Sequence, residues 1–243
     1  MSDASGPVAT SDQPVAIITA AGRGIGAAIA HELHGRGYRL ALMSPSGNAE
    51  RLATELGAIG LTGSVEDKSH LAQLVAMTLD AYGRIDAVVN HTGHPPKGDL
   101  LEIADEDWQV GNDLVFLPVI RMARLVTPCM LSQRKGAFLN ITTFAALEPS
   151  LKFPVSCAYR AAVASFTKLY ADRYAPENIR MNALLPGYTD SLNHAAETAD
   201  SIPMKRIGSV VEVAKTAAFL LSDDAAYITG QNIRVDGGIT RHL

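Results

Sequence analysis

The 243-residue chain contains 21 basic and 25 acidic side chains, for a formal charge of -4, and 47% of its residues are hydrophobic. This composition excludes a disordered chain, and the small charge imbalance provides no basic surface for nucleic acid or anionic membranes. No apolar run approaches the roughly 18 to 20 residues that cross a bilayer, and no secretory leader pattern opens the chain. We expect a cytoplasmic protein that binds neither nucleic acid nor membrane.

The two cysteines, Cys129 and Cys157, are too few for a disulfide framework, and neither lies in a CxxC or Cys/His pattern that binds zinc. We expect both to be buried thiols, because free cysteine is among the most buried residue types. The sequence indicates no metal site.

Apolar patterns along the chain predict how the backbone is organised. Residues 1–13 lack apolar periodicity and predict a flexible tail, whereas residues 14–243 predict a single domain. Short apolar runs predict strands at 15–19, 39–43, 58–61, 87–90, 137–141, 181–185 and 232–235. Apolar residues at three- and four-residue spacing predict helices at about 25–36, 48–56, 68–82, 105–133, 156–174 and 210–221.

Strands that are apolar on both faces and alternate with helices indicate parallel strands covered by helices on both sides. The predicted fold is an α/β, doubly wound parallel sheet of the Rossmann type, in which ligands bind beyond the carboxyl ends of the strands. The segment 190–206 is polar and weakly periodic, and we expect it to form a short substrate loop over the site.

The turn after the first predicted strand reads Thr19-Ala-Ala-Gly-Arg-Gly-Ile-Gly26 and leads directly into a helix. Small residues in such a turn let the backbone approach a phosphate, and the N–H groups at a helix N-terminus favour an anion. A glycine-rich turn alone is also compatible with a purely structural tight turn.

Four segments in the same order resemble the motifs of the short-chain dehydrogenase/reductase family. The first turn resembles that family's TGxxxGxG, Asn90-His-Thr-Gly93 its NNAG, and Leu185-Pro-Gly-Tyr-Thr-Asp-Ser191 its PGxxxT segment. The segment Tyr227-Ile-Thr-Gly-Gln-Asn-Ile-Arg-Val-Asp-Gly-Gly238 resembles its C-terminal TGQ and VDGG motifs. The resemblance covers about residues 14–240. It implies hydride transfer between a nicotinamide and the carbonyl or alcohol group of a small-molecule substrate.

The catalytic positions depart from the family's set of Asn, Ser, Tyr and Lys, because no YxxxK pair occurs at the expected place. A gapless alignment of the helix that precedes Arg180-Met-Asn182 places Ser156 at the Tyr position and Arg160 at the Lys position. The same family spacing places Thr143 at the Ser position and Val115 at the Asn position.

The resemblance predicts how these replacements change the chemistry. A serine hydroxyl is a weaker acid than a phenol, whose pKa is about 10, so Ser156 is expected to be a poor proton donor. Arg160 stays protonated and is expected to keep the ribose contact and the positive field, while Thr143 donates a hydrogen bond to a carbonyl. Tyr159 is an alternative catalytic residue that leans into the site. Aligning Tyr159 with the family Tyr instead requires a three-residue deletion, which rotates the helix by some 300°.

The cofactor positions favour NADP(H) over NAD(H). Members of the family that prefer NAD(H) carry an acid after the second strand, where this chain has Ser44, and Arg23 adds a cation to the first turn. Ser64 replaces the Asp that usually meets the adenine, and Ser191 keeps a hydroxyl for the carboxamide. The resemblance assigns cofactor contacts to Thr19, Ala20, Gly22, Arg23, Gly24, Ile25, Gly26, Ser44, Ser64, Val65, Asn90, Gly93, Arg160, Pro186, Gly187 and Ser191.

Several further polar side chains fall in loops that are predicted to follow strands, near the expected site. A histidine there suits the role of proton donor, because its pKa lies near physiological pH. Taken alone, each of them is expected to be a loop residue exposed to solvent. These residues are His91, His94, Glu148, Tyr188 and His194.

The leading hypothesis is an NAD(P)-dependent oxidoreductase with a rearranged proton donor. The loss of Tyr, Lys and Asn leaves open a nucleotide-binding or regulatory protein without turnover. Arginine in place of lysine leaves open a lyase similar to halohydrin dehalogenases. The predicted helices at 105–133 and 156–174 are apolar on more than one face, which favours a homo-oligomer, either a dimer or a tetramer.

Overall fold

The computed structural model describes residues 12–241, so the predicted tail lies outside the described residues except for residues 12 and 13. Within the described range, the strands are β1 Val15–Thr19, β2 Arg39–Ser44, β3 Ile59–Thr62, β4 Ala87–Asn90, β5 Gly136–Ile141, β6 Ile179–Pro186 and β7 Asn232–Val235. The α-helices are α1 Gly24–Gly35, α2 Asn48–Leu56, α3 Lys68–Tyr82, α4 Asp105–Gly111, α5 Leu117–Gln133, α6 Pro154–Tyr174 and α7 Val210–Leu221.

The seven strands form a parallel sheet in the order β3-β2-β1-β4-β5-β6-β7. The chain builds one half of the sheet from β1 outward and then crosses back to build the other half from β4, so the strand order reverses between β1 and β4. In an open parallel sheet, the crevice beyond the carboxyl ends at such a reversal is where ligands bind. The turns that follow β1 and β4 therefore lie side by side at the ligand crevice.

Two apolar layers cover the sheet, because successive strand residues point to opposite faces. Ile18 of β1 packs with α1, α2 and α7, whereas the neighbouring Ile17 packs with α3, α5 and α6, and both side chains are fully buried. Cys157 is buried as predicted, while Cys129 is only partly buried. The prediction of a doubly wound Rossmann fold is confirmed.

The helix predicted at 105–133 is interrupted in the structure. Residues Asn112–Phe116 form a π-helical turn between α4 and α5, and the Leu117 N–H donates to the Asn112 carbonyl. A π turn adds one residue to the helical repeat. The 3.6-residue pattern of apolar side chains does not reveal that extra residue.

The stretch Asp105–Gln133 has the length and the composition of a helix that could cross a membrane. A core helix of a soluble protein passes the same test. Here Met122 and Val126 are fully buried in the apolar layer below the sheet, and Val115 is buried against α6. We therefore interpret the stretch as a core helix.

The segment 190–206 includes one 3₁₀ turn, Ala196–Ser201. Thr189 and Gly208 pair as an isolated parallel bridge, which fixes the two ends of the segment beside β6. The next helix begins with a capping box, in which Ser209 and Glu212 bond reciprocally to backbone N–H groups.

Candidate functional site

The first turn leaves the N-terminus of α1 open. Arg23 is the N-cap residue, and its side chain makes no capping hydrogen bond to the first helical turn. Gly24 adopts a φ of +56°, and a Cβ on Gly26 would lie 2.3 Å from the Ala20 carbonyl oxygen, so both positions require glycine. The helix therefore presents unpaired N–H groups of the kind that bind a phosphate.

Ala20 replaces the first glycine of the family pattern and takes a left-handed φ of +49°. For an L-residue this conformation costs about 1–2 kcal/mol. The turn thus keeps the backbone shape that glycine would allow, at some expense of stability.

The position that meets the ribose in the family is occupied by Ser44, which is 4% exposed. Its hydroxyl donates to the Ser46 carbonyl at 2.6 Å and accepts from the Ala49 N–H at 3.2 Å. A Cβ on Gly22 would lie 2.7 Å from Ser44 Oγ, so the first turn packs directly on this serine. Ser44 provides no negative charge, and the exposed Arg23 lies in the same turn region.

Ser64 and Val65 follow the carboxyl end of β3, at the predicted adenine side. The Ser64 hydroxyl donates to Glu66 Oε2 at 3.0 Å, and its N–H donates to His70 Nδ1 at 3.3 Å. Val65 is 7% exposed and belongs to the apolar layer below the sheet. The Ser64 hydroxyl is therefore hydrogen-bonded to Glu66, two residues along the same loop.

Hydrogen bonds hold the carboxyl ends of the central strands together. The Thr19 hydroxyl donates to the His91 carbonyl at 2.6 Å and accepts from the His91 N–H at 2.9 Å. Asn90 Nδ2 donates to Asn140 Oδ1 at 2.8 Å, and Asn140 Nδ2 donates to Thr167 Oγ1 at 2.9 Å. This chain of bonds links β1, β4, β5 and α6 at the floor of the crevice.

Arg160 is 5% exposed and joins three segments of the site. Its Nη1 donates to the Ile141 carbonyl at 2.8 Å, its Nη2 donates to the Gly93 carbonyl at 3.2 Å, and its Nε donates to Ser156 Oγ at 3.1 Å. Burial lowers the pKa of Arg160 to about 10, so the guanidinium remains charged at neutral pH. These three partners are neutral oxygens, and the positive charge of Arg160 therefore acts on the crevice.

Thr143 and Ser156 carry the two hydroxyl groups that the sequence predicted for catalysis. Ser156 Oγ accepts from Arg160, which leaves its own proton available to another acceptor. Thr143 Oγ1 accepts from the Ala145 N–H at 3.4 Å, at the start of the 3₁₀ turn Phe144–Ala146, and it also keeps its proton. Both groups are able to donate to a carbonyl oxygen.

The alternative catalytic residue Tyr159 and the residue aligned with the family's Asn, Val115, are used for packing. The Tyr159 ring lies edge-on to the Trp108 ring, with centroids 6.1 Å apart, and it contacts the apolar cluster of Val115 and Val163. Val115, which the sequence predicted at the position of the family's Asn, is 3% exposed within the π-helical turn. Its side chain offers no hydrogen bond to the site.

A small cavity lies behind the turn that follows β4, lined in part by His91, Thr92, Val115 and Arg160. His91 Nδ1 and Thr92 Oγ1 are buried without a hydrogen-bond partner among residues 12–241. Burial, reinforced by the positive charge of Arg160, lowers the pKa of His91 to about 4. His91 is therefore neutral at physiological pH and is not the solvent-exposed loop residue that its sequence context predicts.

Burial also lowers the pKa of His94, and the charges of Arg160, Lys97 and Arg23 act in the same direction. His94 as a whole residue is exposed, as its sequence context predicts.

The segment after β6 closes the other side of the crevice. The N–H of Gly187, which follows Pro186, donates to the Val235 carbonyl at 3.0 Å. The hydroxyls of Thr189 and Ser191 bond at 2.8 Å. A Cβ on Gly24 would lie 3.3 Å from Ser191 Cβ, so this segment contacts the first turn.

Three features of the site were not predicted from the sequence. They are the buried Nδ1 of His91, the buried hydroxyl of Thr92, and a contact between the rings of Phe144 and Tyr188. Phe144 follows Thr143 directly, and this adjacency was the one sequence signal that pointed to it.

The fold and the first turn define a dinucleotide-binding protein of the doubly wound class. The model of a family described as enoyl-(acyl carrier protein) reductase matches residues 19–240. The chain belongs to the short-chain dehydrogenase/reductase family, as its motifs predicted.

Curated relatives match along nearly the whole chain. The 3-oxoacyl-[acyl-carrier-protein] reductase of Synechocystis sp. is 36% identical over 238 residues, which cover 93% of this chain and 96% of the relative. Nodulation protein G of Rhizobium meliloti is 34% identical over 238 residues, which cover 92% and 96%.

Solved structures agree with this assignment. YwfH, described as an NADPH dependent reductase involved in bacilysin biosynthesis, has a TM-score of 0.90 at 26% identity, covering 95% of this chain and all of that chain. L-Sorbose reductase from Gluconobacter frateurii, complexed with NADPH and L-sorbose, has a TM-score of 0.89 at 27% identity, covering 95% and 98%. The prediction of an oxidoreductase is confirmed over the binding-protein and lyase alternatives.

The strained Ala20 yields a stability prediction. Ala20→Gly should raise the free energy of unfolding by about 0.5–1 kcal/mol, because relief of the left-handed conformation exceeds the added chain entropy of glycine. Ala28→Gly, in the interior of α1, should lower it by about 1 kcal/mol. Urea unfolding measures both changes, and a loss of stability in Ala20→Gly would contradict the assigned backbone strain.

His91, whose Nδ1 is buried although the residue is only partly buried, yields a pH prediction. Its pKa is 6.5 in an unperturbed chain and about 4 in the fold, so between these values the unfolded chain binds more protons. The free energy of unfolding should therefore fall as the pH decreases from 6.5 to 4, by at most ~3 kcal/mol from this residue.

Urea unfolding of His91→Asn across the same pH range provides the comparison. The variant should show a shallower pH dependence, and His94, whose pKa is also lowered, should account for part of the slope that remains. Parallel curves for the two proteins would show that His91 does not titrate in this window.

Proposed function

We propose that the protein reduces a small carbonyl compound with NADP(H), using the hydroxyls of Thr143 and Ser156 and the charge of Arg160. The observation that carries this proposal is the 3.1 Å bond from Arg160 Nε to Ser156 Oγ. This bond occupies a lone pair of Ser156 Oγ with Arg160, one turn further along α6, and leaves the hydroxyl proton for a substrate oxygen.

The first turn fits a dinucleotide. The uncapped N-terminus of α1 offers N–H groups to a pyrophosphate, and Gly26 leaves room for the backbone approach. At the ribose position the neutral Ser44 and the exposed Arg23 favour a 2′-phosphate over a free hydroxyl. The two structural neighbours described as NADPH dependent or NADPH-bound support the same preference.

A bound reduced nicotinamide supplies a hydride to the carbonyl carbon. Thr143 and Ser156 donate hydrogen bonds to the carbonyl oxygen and orient it. The buried guanidinium of Arg160 stabilises the negative charge that develops on that oxygen, since electrostatic stabilisation is strong where water is excluded. The oxygen takes its proton from solvent at the mouth of the crevice, because neither hydroxyl is acidic enough to supply it efficiently.

Arg160 also has donors left for a ribose. A guanidinium carries five N–H groups, of which the bonds to Ser156, Ile141 and Gly93 use three. We assign the remaining N–H groups to the nicotinamide ribose and to the cavity behind the turn after β4. The other proposed cofactor contacts follow the family positions given above, with segment 190–206 as the substrate loop of one domain at 14–243.

We further infer a cytoplasmic homo-oligomer, a dimer or a tetramer. Apolar side chains remain exposed on the helices α4, α5 and α6, where Val110, Leu131 and Leu169 are 40%, 38% and 65% exposed. Burial of such side chains between identical helices favours association. Two unpaired thiols are typical of a reducing compartment.

Titration with NADPH and NADH, followed by nucleotide fluorescence, tests the cofactor proposal. NADPH should bind more tightly, and Arg23→Gln should weaken NADPH binding by about 10-fold, the loss expected for one charge-assisted contact of about 1.4 kcal/mol, without weakening NADH binding. Arg36→Gln, at the opposite end of α1, is the matched control. Equal effects on both nucleotides would remove Arg23 from the 2′-phosphate, and binding of neither would contradict the function.

A double variant tests the missing proton donor. Ser156→Tyr with Arg160→Lys restores the family pair and should create or raise carbonyl reductase activity, by about 10- to 100-fold where a baseline exists. Ser156→Ala with Arg160→Lys is the control without a phenol. An unchanged rate across a carbonyl panel would show that the proposed positions or roles are wrong.

A further inference from the structure

Three aromatic rings form a continuous surface at the carboxyl edge of the sheet. The centroids of Phe144 and Tyr188 lie 5.6 Å apart at an interplanar angle of 57°, and those of Tyr188 and His194 lie 5.2 Å apart at 76°. We call Phe144, Tyr188 and His194 the aromatic wall. Its geometry matches the edge-to-face and tilted packing that aromatic rings prefer.

The aromatic wall is anchored at both ends to residues of the proposed site. Phe144 follows Thr143, whose hydroxyl is assigned to the substrate carbonyl. At the other end, His194 Nε2 bonds to the Thr189 carbonyl at 2.7 Å, and the Thr189 hydroxyl bonds to Ser191 at 2.8 Å. The wall therefore runs beside the place where the carbonyl and the nicotinamide must meet.

The rings of the wall are available to a ligand. Phe144, Tyr188 and His194 are each only partly buried, so part of each ring is not covered by the protein. Ring side chains have few rotatable bonds, and each loses little conformational entropy when a ligand packs on it. A bound ring would gain edge-to-face contacts that a saturated group of the same size does not.

We propose that the aromatic wall is the substrate subsite for an aryl group attached to the reacting carbonyl, as in an aryl ketone or aryl aldehyde. This inference rests on the proposed carbonyl reductase function, because it uses Thr143 to place the carbonyl. A flat ring one bond from the carbonyl carbon packs on Phe144 while its oxygen faces the hydroxyls. A flexible linear chain gains only the binding free energy of the apolar area that it buries.

Three ketones with the same number of carbons test the proposal: acetophenone, cyclohexyl methyl ketone and 2-octanone. Dissociation constants are measured by ligand-observed NMR on the full chain saturated with NADP⁺, so that binding does not depend on turnover. Acetophenone should bind about 3- to 10-fold more tightly than either saturated ketone, the gain expected from aromatic pairing. Equal or weaker binding of acetophenone, or no detectable binding at millimolar concentration, would overturn the proposal.

Variants of the aromatic wall test whether its rings cause the preferential binding of acetophenone. Phe144→Leu and Tyr188→Leu keep apolar volume without a ring and should each reduce the preference toward unity, whereas Tyr188→Phe should retain it. Leu151→Ala, at an 80% exposed position of the loop after β5, should leave it unchanged. Thermal unfolding identifies any variant that fails to fold, and Tyr188→Phe tests the ring even then. Full preference in both leucine variants would exclude the wall as the subsite.

NADPH oxidation with the same ketones separates this inference from the proposed function. Aryl preference in binding without oxidation of NADPH would leave the subsite standing and contradict the reductase. Oxidation of all three ketones at similar kcat/KM, without preference in binding, would support the reductase and overturn the subsite.

Discussion

The buried guanidinium of Arg160 is the interaction on which the arrangement of the site depends. It connects the end of β5, the turn after β4 and the start of α6 through the Ile141 carbonyl, the Gly93 carbonyl and Ser156 Oγ. A buried charge is tolerated only where polar groups replace its hydration. The carbonyl dipoles therefore converge on the Arg160 side chain of α6, which also bonds to the Ser156 hydroxyl. The charge of Arg160 adds to the effect of burial in lowering the pKa of His91.

The same interaction separates two roles that a Tyr–Lys pair combines. In the proposed mechanism, orientation and charge stabilisation remain with Ser156, Thr143 and Arg160, whereas rapid proton supply is lost with the phenol. The site is thus organised more strongly for binding than for fast protonation. Its substrate preference then rests on the shape of the crevice, including the ring surface beside Thr143.

Regular elements were predictable from the sequence because their determinants are local. The run at 15–19 is apolar on both faces, and the structure has a strand there. The environment of the His91 ring was not predictable. Its main chain bonds to Thr19 and its pKa responds to Arg160, and the sheet order brings these residues together from distant parts of the chain. The meeting of Phe144 with Tyr188 likewise depends on β5 lying beside β6.

The π-helical turn at Asn112–Phe116 affects how the site tolerates sequence change. Its shape is made by main-chain bonds, among them the Leu117 N–H to the Asn112 carbonyl, and not by the side chain of Val115. Hydrogen bonds of the main chain are preserved when one side chain of the turn is replaced by another. A valine at position 115 is therefore compatible with this course of the backbone around the crevice.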